Sequence, residues 1–357
     1  MHIGLIIYGS LDTLSGGYLY DRKLVAHLRA CGDTVTVLSQ PWVNYGRHLL
    51  HNINSAWRRQ LLLSPKFDVL LQDELNHPSL FWQNPTLRKQ SGCPMVAIVH
   101  HLRCSEARPG WQNMLYRHIE RRYLNTVDGF VFNSQTTRQT VFDLIEPAKP
   151  HVVALPAGDR FGIQPANYWV NRASNSHELR LLFVGNIIPR KGLHTVLTAL
   201  ATCPGAWQLD VVGADDIDTA YAQSLRRQAA QLGLAHRVHW CGRFDDPALA
   251  KAFRQHDVLV GPSSYEGYGI AYLEAMGFGL PVIASTGGAA HEIVTDGVDG
   301  FLVDPDDVAT LGACLNTLID NPTLRTRMGE AARQRFAQHP TWAHSMAQIR
   351  SFLQRLA

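Results

Sequence analysis

Short apolar runs of strand length alternate along this chain with stretches whose apolar residues recur at helical spacing, and the whole alternation occurs twice. Ile3–Tyr8 is a continuous apolar run, the pattern of a strand covered on both faces. A polar loop ending in Ser15-Gly16-Gly17 leads into a helical pattern from Tyr18 to Ala30, with Leu24, Val25 and Leu28 on one face, and then a strand at Thr34–Leu38. This is a β-α-β unit whose glycine turn sits at the carboxyl end of its first strand, where such folds bind ligands. Further strands are predicted at Phe67–Leu71, Pro94–Val99, Phe130–Asn133 and Val152–Leu155. From Leu181 the pattern starts afresh. Strands are read at Leu181–Val184, Gln208–Val212, Arg237–Cys241, Val258–Val260, Pro281–Ala284 and Phe301–Val303, helices at Leu193–Ala201, Asp218–Leu232 and Pro247–His256. A helix start is read near Tyr268 or Gly269, a last domain helix at Asp306–Ile319, and an end helix from Trp342, Met346, Ile349 and Leu353.

Such alternation predicts an α/β protein with mainly parallel sheets covered by helices. The 357 residues suit two domains better than one core. The expected divisions are a first domain at 1–159, a linker region at 160–177 without a core pattern, a second domain at 178–337, and a tail at 338–357. A substrate that two such domains share would lie between them.

Composition narrows the class. Apolar content of 46% and charged content of 18% describe a soluble globular chain, and no run is long enough to cross a bilayer. The start reads as a strand and the six scattered cysteines make no metal-like pair, so a cytosolic setting is expected. A net charge of +3 falls far short of a nucleic-acid-binding signature. One stretch concentrates basic and apolar residues. Between Trp42 and Lys66, Leu49, Leu50, Ile53, Trp57 and Leu61 share a helical face beside Arg58 and Arg59. That face either packs on the sheet or lies on an anionic membrane; Arg117, Arg121 and Arg122 add to the basic surface.

The candidate chemistry gathers at strand ends. His100 and His101 follow the strand at Pro94–Val99, well placed to donate hydrogen bonds or carry a proton. Gly185–Gly192 follows a strand and sets Arg190 and Lys191 just before a helix, a pairing that suits a diphosphate. It lacks the GxxxxGK[ST] of a nucleoside triphosphatase, and neither half carries GxGxxG. In Ser263–Asp304, Glu266 precedes a helix start and Glu274 lies within it. The glycines there admit close approach of a ligand, the helical amides suit an anion, and the carboxylates suit sugar and ribose hydroxyls. Gly242-Arg243-Phe244 is placed to meet a base.

The segment Glu266-Gly-Tyr-Gly-Ile-Ala-Tyr-Leu-Glu274, with the following GLPVIAS and GGAAHEIV, resembles the E-x7-E element of the family 4 retaining glycosyltransferases. The stretch from Asn186 to Gly192, the Gly16-Gly17 turn and Pro94–His100 resemble further landmarks of that family. The resemblance implies the GT-B fold, two facing Rossmann-like parallel-sheet domains with a cleft between them. It implies transfer of a hexose from a nucleotide-diphosphate sugar to an acceptor hydroxyl, with no cofactor and no metal. Arg190 and Lys191 would neutralise the diphosphate, Glu266 would contact the transferred sugar, and Glu274 the ribose hydroxyls. Amides around Gly267, Tyr268, Gly269 and Ile270 would hold sugar or phosphate oxygens. His100 would reach the sugar, Gly16 and Gly17 would admit the phosphates, and the tail helix would return to the first domain. His101 departs from the small or acidic residue often found at its position. Acceptor contacts are expected from Tyr18, Tyr20, Asn44, Tyr45 and Trp111. A lipid-linked or membrane-presented acceptor, a soluble sugar or metabolite, and a non-catalytic sugar-nucleotide binder all remain open. The first places the protein on the inner face of a membrane.

Overall fold

Parallel strands buried on both faces favour unbroken apolar runs, and β4 (Met95–Val99) is one throughout, β1 (His2–Tyr8) after its first residue, and β3 (Val69–Asp73) up to Gln72 and Asp73 at its end. In this computed structural model, residues 1–53, 66–146, 149–162 and 178–357 are described. The chain divides into two units, Met1–Pro156 with Pro340–Ala357, and Ala157–His339.

Unit 1 holds a parallel sheet in the order β2-β1-β3-β4-β5-β6, with β2 at Thr34–Gln40, β5 at Gly129–Phe132 and β6 at His151–Val153. Its described helices are α1 (Gly16–Ala30), α2 (Tyr45–Leu50), α3 (His77–Leu80), α4 (Asn84–Ser91), α5 (Gly110–Leu124) and α6 (Gln135–Phe142). Ser15 starts α1 by accepting a hydrogen bond from the Tyr18 amide. Because strand order turns back at β1, the loops after β1 and β3 leave the sheet on opposite sides.

Unit 2 has the order β12-β11-β10-β7-β8-β9, comprising β7 (Leu179–Val184), β8 (Trp207–Val212), β9 (Val238–Gly242), β10 (Val258–Gly261), β11 (Val282–Ser285) and β12 (Gly300–Val303). The helices are α7 (Leu193–Leu200), α8 (Thr219–Gln231), α9 (Asp246–Gln255), α10 (Ile270–Gly277), α11 (Val308–Asp320) and α12 (Pro322–Gln338). The order reverses between β7 and β10, so the two loops of chemical interest flank one switch point. Its core centres on Phe183, Trp207, Val260 and Ile283.

Helix α12 is absent from the sequence reading, which ends this domain's helices at Ile319. The reason is physical: α12 buries Met328, Gly329 and Ala332, one large apolar residue among small ones, which make no apolar stripe. A Cβ on Gly329 would lie 2.3 Å from the Gly279 carbonyl oxygen, so contact here depends on the lack of a side chain. Helix α13 (Trp342–Leu356) packs in unit 1 against α1, with Trp342 edge to face with Tyr20. Of the basic stretch 42–66, residues 54–65 lie outside the described residues, including Trp57, Arg58, Arg59 and Leu61; so do 163–177 of the proposed linker.

Candidate active site

The switch point of unit 2 sets a cation against a carboxylate. Gly192, at φ 70°, ends the turn after β7 where a Cβ would lie 2.3 Å from the Pro262 carbonyl oxygen. That close approach brings the β7 and β10 loops together. The Lys191 Nζ donates to Glu266 Oε2 at 2.5 Å, and Ser263 Oγ donates to the same oxygen at 3.2 Å. Arg190 donates to the Tyr265 carbonyl at 2.5 Å, with Nη1 3.9 Å from Glu266 Oε2. Glu266 is fixed from behind as well: its amide donates to Gly287 O at 2.9 Å, and its carbonyl accepts from Ala289 N at 2.9 Å. A Cβ on Gly288 would collide with that carbonyl at 2.1 Å. Burial lowers the Lys191 pKa, against the opposing pull of Glu266.

Helix α10 begins beyond this pair at Gly269, φ 109°, with no side chain capping it. Its first amides are therefore open to an outside acceptor, and the helix dipole favours an anion there. The side chains of the two flanking residues turn inward. Tyr268 is buried with its hydroxyl 2.6 Å from His339 Nε2, and Tyr272 donates to Gly261 O at 2.6 Å.

Glu274, one turn further along, is buried with both oxygens on Arg160: Nε at 2.5 Å and Nη2 at 3.0 Å. Arg160 also donates to Asp246 at 2.8 Å and lies over the Phe161 ring at 4.5 Å. Sequence reasoning left Arg160 in the linker because its partner is 114 positions away. Arg243 and Phe244 stand apart from this group. They follow β9 at the sheet edge, and Arg243 makes an exposed pair with Asp216 at 2.7 Å.

In unit 1, a Cβ on Gly17 would lie 3.1 Å from His100 Cδ2, so the glycine turn makes room for the imidazole. Gly16 opens α1 beside it. His100 Nε2 is 3.4 Å from Asp21 Oδ1, and its carbonyl accepts from Asn133 Nδ2 at 2.8 Å. Burial pulls the His100 pKa down, but Asp21, Asp73 and Glu74 carry it above the ordinary value. His101 turns the other way, to Glu106 at 2.9 Å.

Around His100 lies a set of buried acids that sequence reasoning missed. Burial raises Asp73 to about 7, Glu74 to about 8 and Glu120 to about 7. Two signals were present. Asp73-Glu74 ends an apolar strand, as His100 does, and Asp21 interrupts the apolar stripe of α1. Asp21, Asp73 and His100 form one group close enough to share an ion; Glu74, His77 and Glu120 form another. In the second, His77 has both nitrogens engaged, with Glu74 O at 3.0 Å and the Tyr45 hydroxyl at 3.1 Å. The proposed acceptor residues diverge: Tyr18 and Tyr20 are buried, donating to Tyr8 O and Ala154 O, while Asn44 caps α2 and Trp111 is exposed.

Two six-stranded parallel sheets, one in each unit, match the GT-B fold. Residues 18–156 match the family described as Glycosyltransferase Family 4, and 170–335 match Glycosyl transferases group 1. The chain belongs to these glycosyltransferases, and it moves a sugar from a nucleotide-diphosphate donor to an acceptor with retention. It is 29% identical to a phosphatidyl-myo-inositol mannosyltransferase of Mycobacterium leprae over 98% of this chain and 95% of that protein. A glycogen synthase of Mycobacterium tuberculosis is 28% identical over 70% of this chain, which spans 60% of that protein. Among solved structures, sucrose-phosphate synthase from Thermosynechococcus elongatus superposes with TM-score 0.85 at 20% identity, covering 99% of this chain and 98% of that one. Anabaena HepE with UDP and glucose gives 0.79 at 20% identity, with all of both chains covered.

Proposed function

We propose that the donor is a nucleotide-diphosphate hexose held by unit 2, with Lys191 and Arg190 on the diphosphate, Glu266 on the hexose and Glu274 on the ribose. The observation that carries this reading is the Lys191–Glu266 pair at 2.5 Å. An ammonium has three N–H donors, so one anchored on Glu266 leaves two for phosphate oxygens. Cations held opposite a departing diphosphate stabilise charge that grows in the transition state. Amides from Gly267 to Ile270 extend this cradle, His100 serves the sugar's reacting end, and Gly16 and Gly17 keep space for phosphates. Attack from the front face, with the leaving phosphate helping to take the acceptor proton, needs no covalent nucleophile. Arg243 and Phe244, which follow β9 two strands along the sheet from β7, are assigned to the base, the end of the donor farthest from the hexose. Calorimetry with UDP-, GDP- and ADP-hexoses tests the reading: one saturates the wild type and fails with Lys191→Ala, whereas uptake of none of them overturns it.

A membrane-presented acceptor is favoured by one surface of unit 1. Helix α5 exposes Trp111, Met114 and Leu115 with Arg117, Arg121 and Arg122, and Arg122 lies 5.7 Å from the ring of exposed Trp82. Leu50 and Ile53 are exposed too, rather than packed on the sheet. Apolar side chains set among arginines suit the interface of an anionic bilayer, and no helix among the described residues is long and apolar enough to cross one. The expected place is peripheral, on the cytoplasmic face. Sedimentation with anionic liposomes at low and moderate salt checks it; absence of association in both returns the acceptor to a soluble sugar or metabolite.

A further inference from the structure

The loop after His100 carries a guanidinium that pairs with no acid among the described residues. Arg103 Cζ lies 5.1 Å from the ring centroid of Tyr45 and 5.0 Å from that of Tyr116, and the two rings meet edge to face at 4.6 Å. The residue is half-buried, and its shielded Nε has no acceptor. Among the described residues its guanidinium makes no hydrogen bond and has no carboxylate within ion-pair distance. Neighbouring Arg108, by contrast, is taken up by Glu106. Five N–H donors are thus held in place by rings that use none of them.

The nearest buried acids do not discharge it. Glu120 accepts the backbone amides of Arg103 and Cys104, at 2.5 and 3.2 Å, and leaves the guanidinium alone. Burial pushes Glu120 up to about 7 and Glu74 to about 8, so near neutral pH they cancel only part of the charge. The place is also right. Arg103 sits beyond the carboxyl end of β4, the side where parallel sheets bind ligands, and its charge and that of His100 both act on Glu74.

We infer that Arg103, framed by Tyr45 and Tyr116, is the subsite for a phosphate group on the acceptor. A planar guanidinium matches two oxygens of a phosphate at once, and aromatic faces hold it in register. The inference rests on the transferase reading, and it names the acceptor class: a phosphorylated alcohol, either free or as a phospholipid headgroup.

The first test needs no transfer. Inorganic phosphate is titrated calorimetrically into full-length protein carrying Lys191→Ala, which disables the other cationic pocket, with and without Arg103→Gln or Arg103→Lys. Arg103→Gln weakens binding by about 10- to 100-fold, and Arg103→Lys retains part of it. Equal binding with and without Arg103→Gln overturns the subsite. The second test pairs acceptors on otherwise wild-type enzyme: glucose 6-phosphate against glucose, glycerol 3-phosphate against glycerol, and phosphatidylglycerol vesicles against phosphatidylcholine vesicles carrying diacylglycerol. The phosphorylated member is preferred, and Arg103→Gln raises its KM at least tenfold with little change in kcat. Preference in the soluble pairs identifies a free phosphate, preference in the vesicle pair a headgroup. Equal use of both members in every pair overturns the subsite. If no nucleotide sugar binds the wild type, the transferase reading fails, while the phosphate titration still decides Arg103.

Discussion

Each unit is built on its own six-stranded parallel sheet, but the two handle buried charge in opposite ways. Unit 2 pairs each functional carboxylate with a cation: Glu266 with Lys191, Glu274 with Arg160. Unit 1 gathers Asp21, Asp73, Glu74 and Glu120 with few cations in contact, and burial raises the last three toward the protonated form. A paired site keeps its charges ready for a charged ligand. A protonated site conserves hydrogen-bond donors at neutral pH and gives them up as pH rises. The lesson is that fold alone does not set the electrostatics; the residues at the strand ends do.

The sharpest way to break the comparison is to remove a cation from unit 2. Lys191→Ala lowers kcat/KM by at least about 10²- to 10³-fold, the scale for losing a group that meets developing charge. Glu266→Ala is expected to do the same, each with an unchanged far-ultraviolet circular dichroism spectrum. Next in size, Arg160→Ala takes the guanidinium from both oxygens of buried Glu274, at a cost of about 3 kcal/mol in urea unfolding. The double variant with Glu274→Gln recovers most of that loss, because no buried charge is then stranded.

Dependence on pH separates the units further. Glu74 has a folded pKa of about 8, above its ordinary value, so between pH 5 and 8 the folded state binds more protons than the unfolded chain. Stability of unit 1 therefore falls as pH rises through that window, by up to about 1.4 kcal/mol per pH unit for each such acid. Glu74→Gln flattens the profile in urea titrations followed from pH 5 to 8. Unit 2 moves the other way at Asp210, whose pKa is lowered by hydrogen bonds from His256 and, secondarily, His239. Its contribution is present above the usual aspartate pKa and is lost as pH falls through the lowered value. The smallest effect is expected at Arg243→Ala, an exposed pair, which changes stability by less than about 0.5 kcal/mol. A larger change would show that the exposed pair is coupled to its surroundings.

Much of this frame was legible in the sequence because both sheets are parallel. Their strands are unbroken apolar runs such as Leu5-Ile6-Ile7 and Leu70-Leu71, and glycines mark the turns at their carboxyl ends. The Lys191 and Glu266 loops were legible for the same reason: each immediately follows a buried strand. What stayed hidden depends on contacts far apart in the chain. Nothing near Arg160 announces Glu274, and nothing near Arg103 announces that Tyr45 and Tyr116 will close on it. Helix α12 escaped because it packs through glycine, alanine and a single methionine instead of a stripe of large apolar residues.

The return of α13 to unit 1 has a consequence for biosynthesis. Tyr20 on α1 and Asp33 beyond it wait for Trp342 and Arg350, which are translated only after every residue of unit 2. On the ribosome, unit 1 exposes an apolar flank until residues 342–356 emerge behind all of unit 2, an invitation to chaperones in that interval.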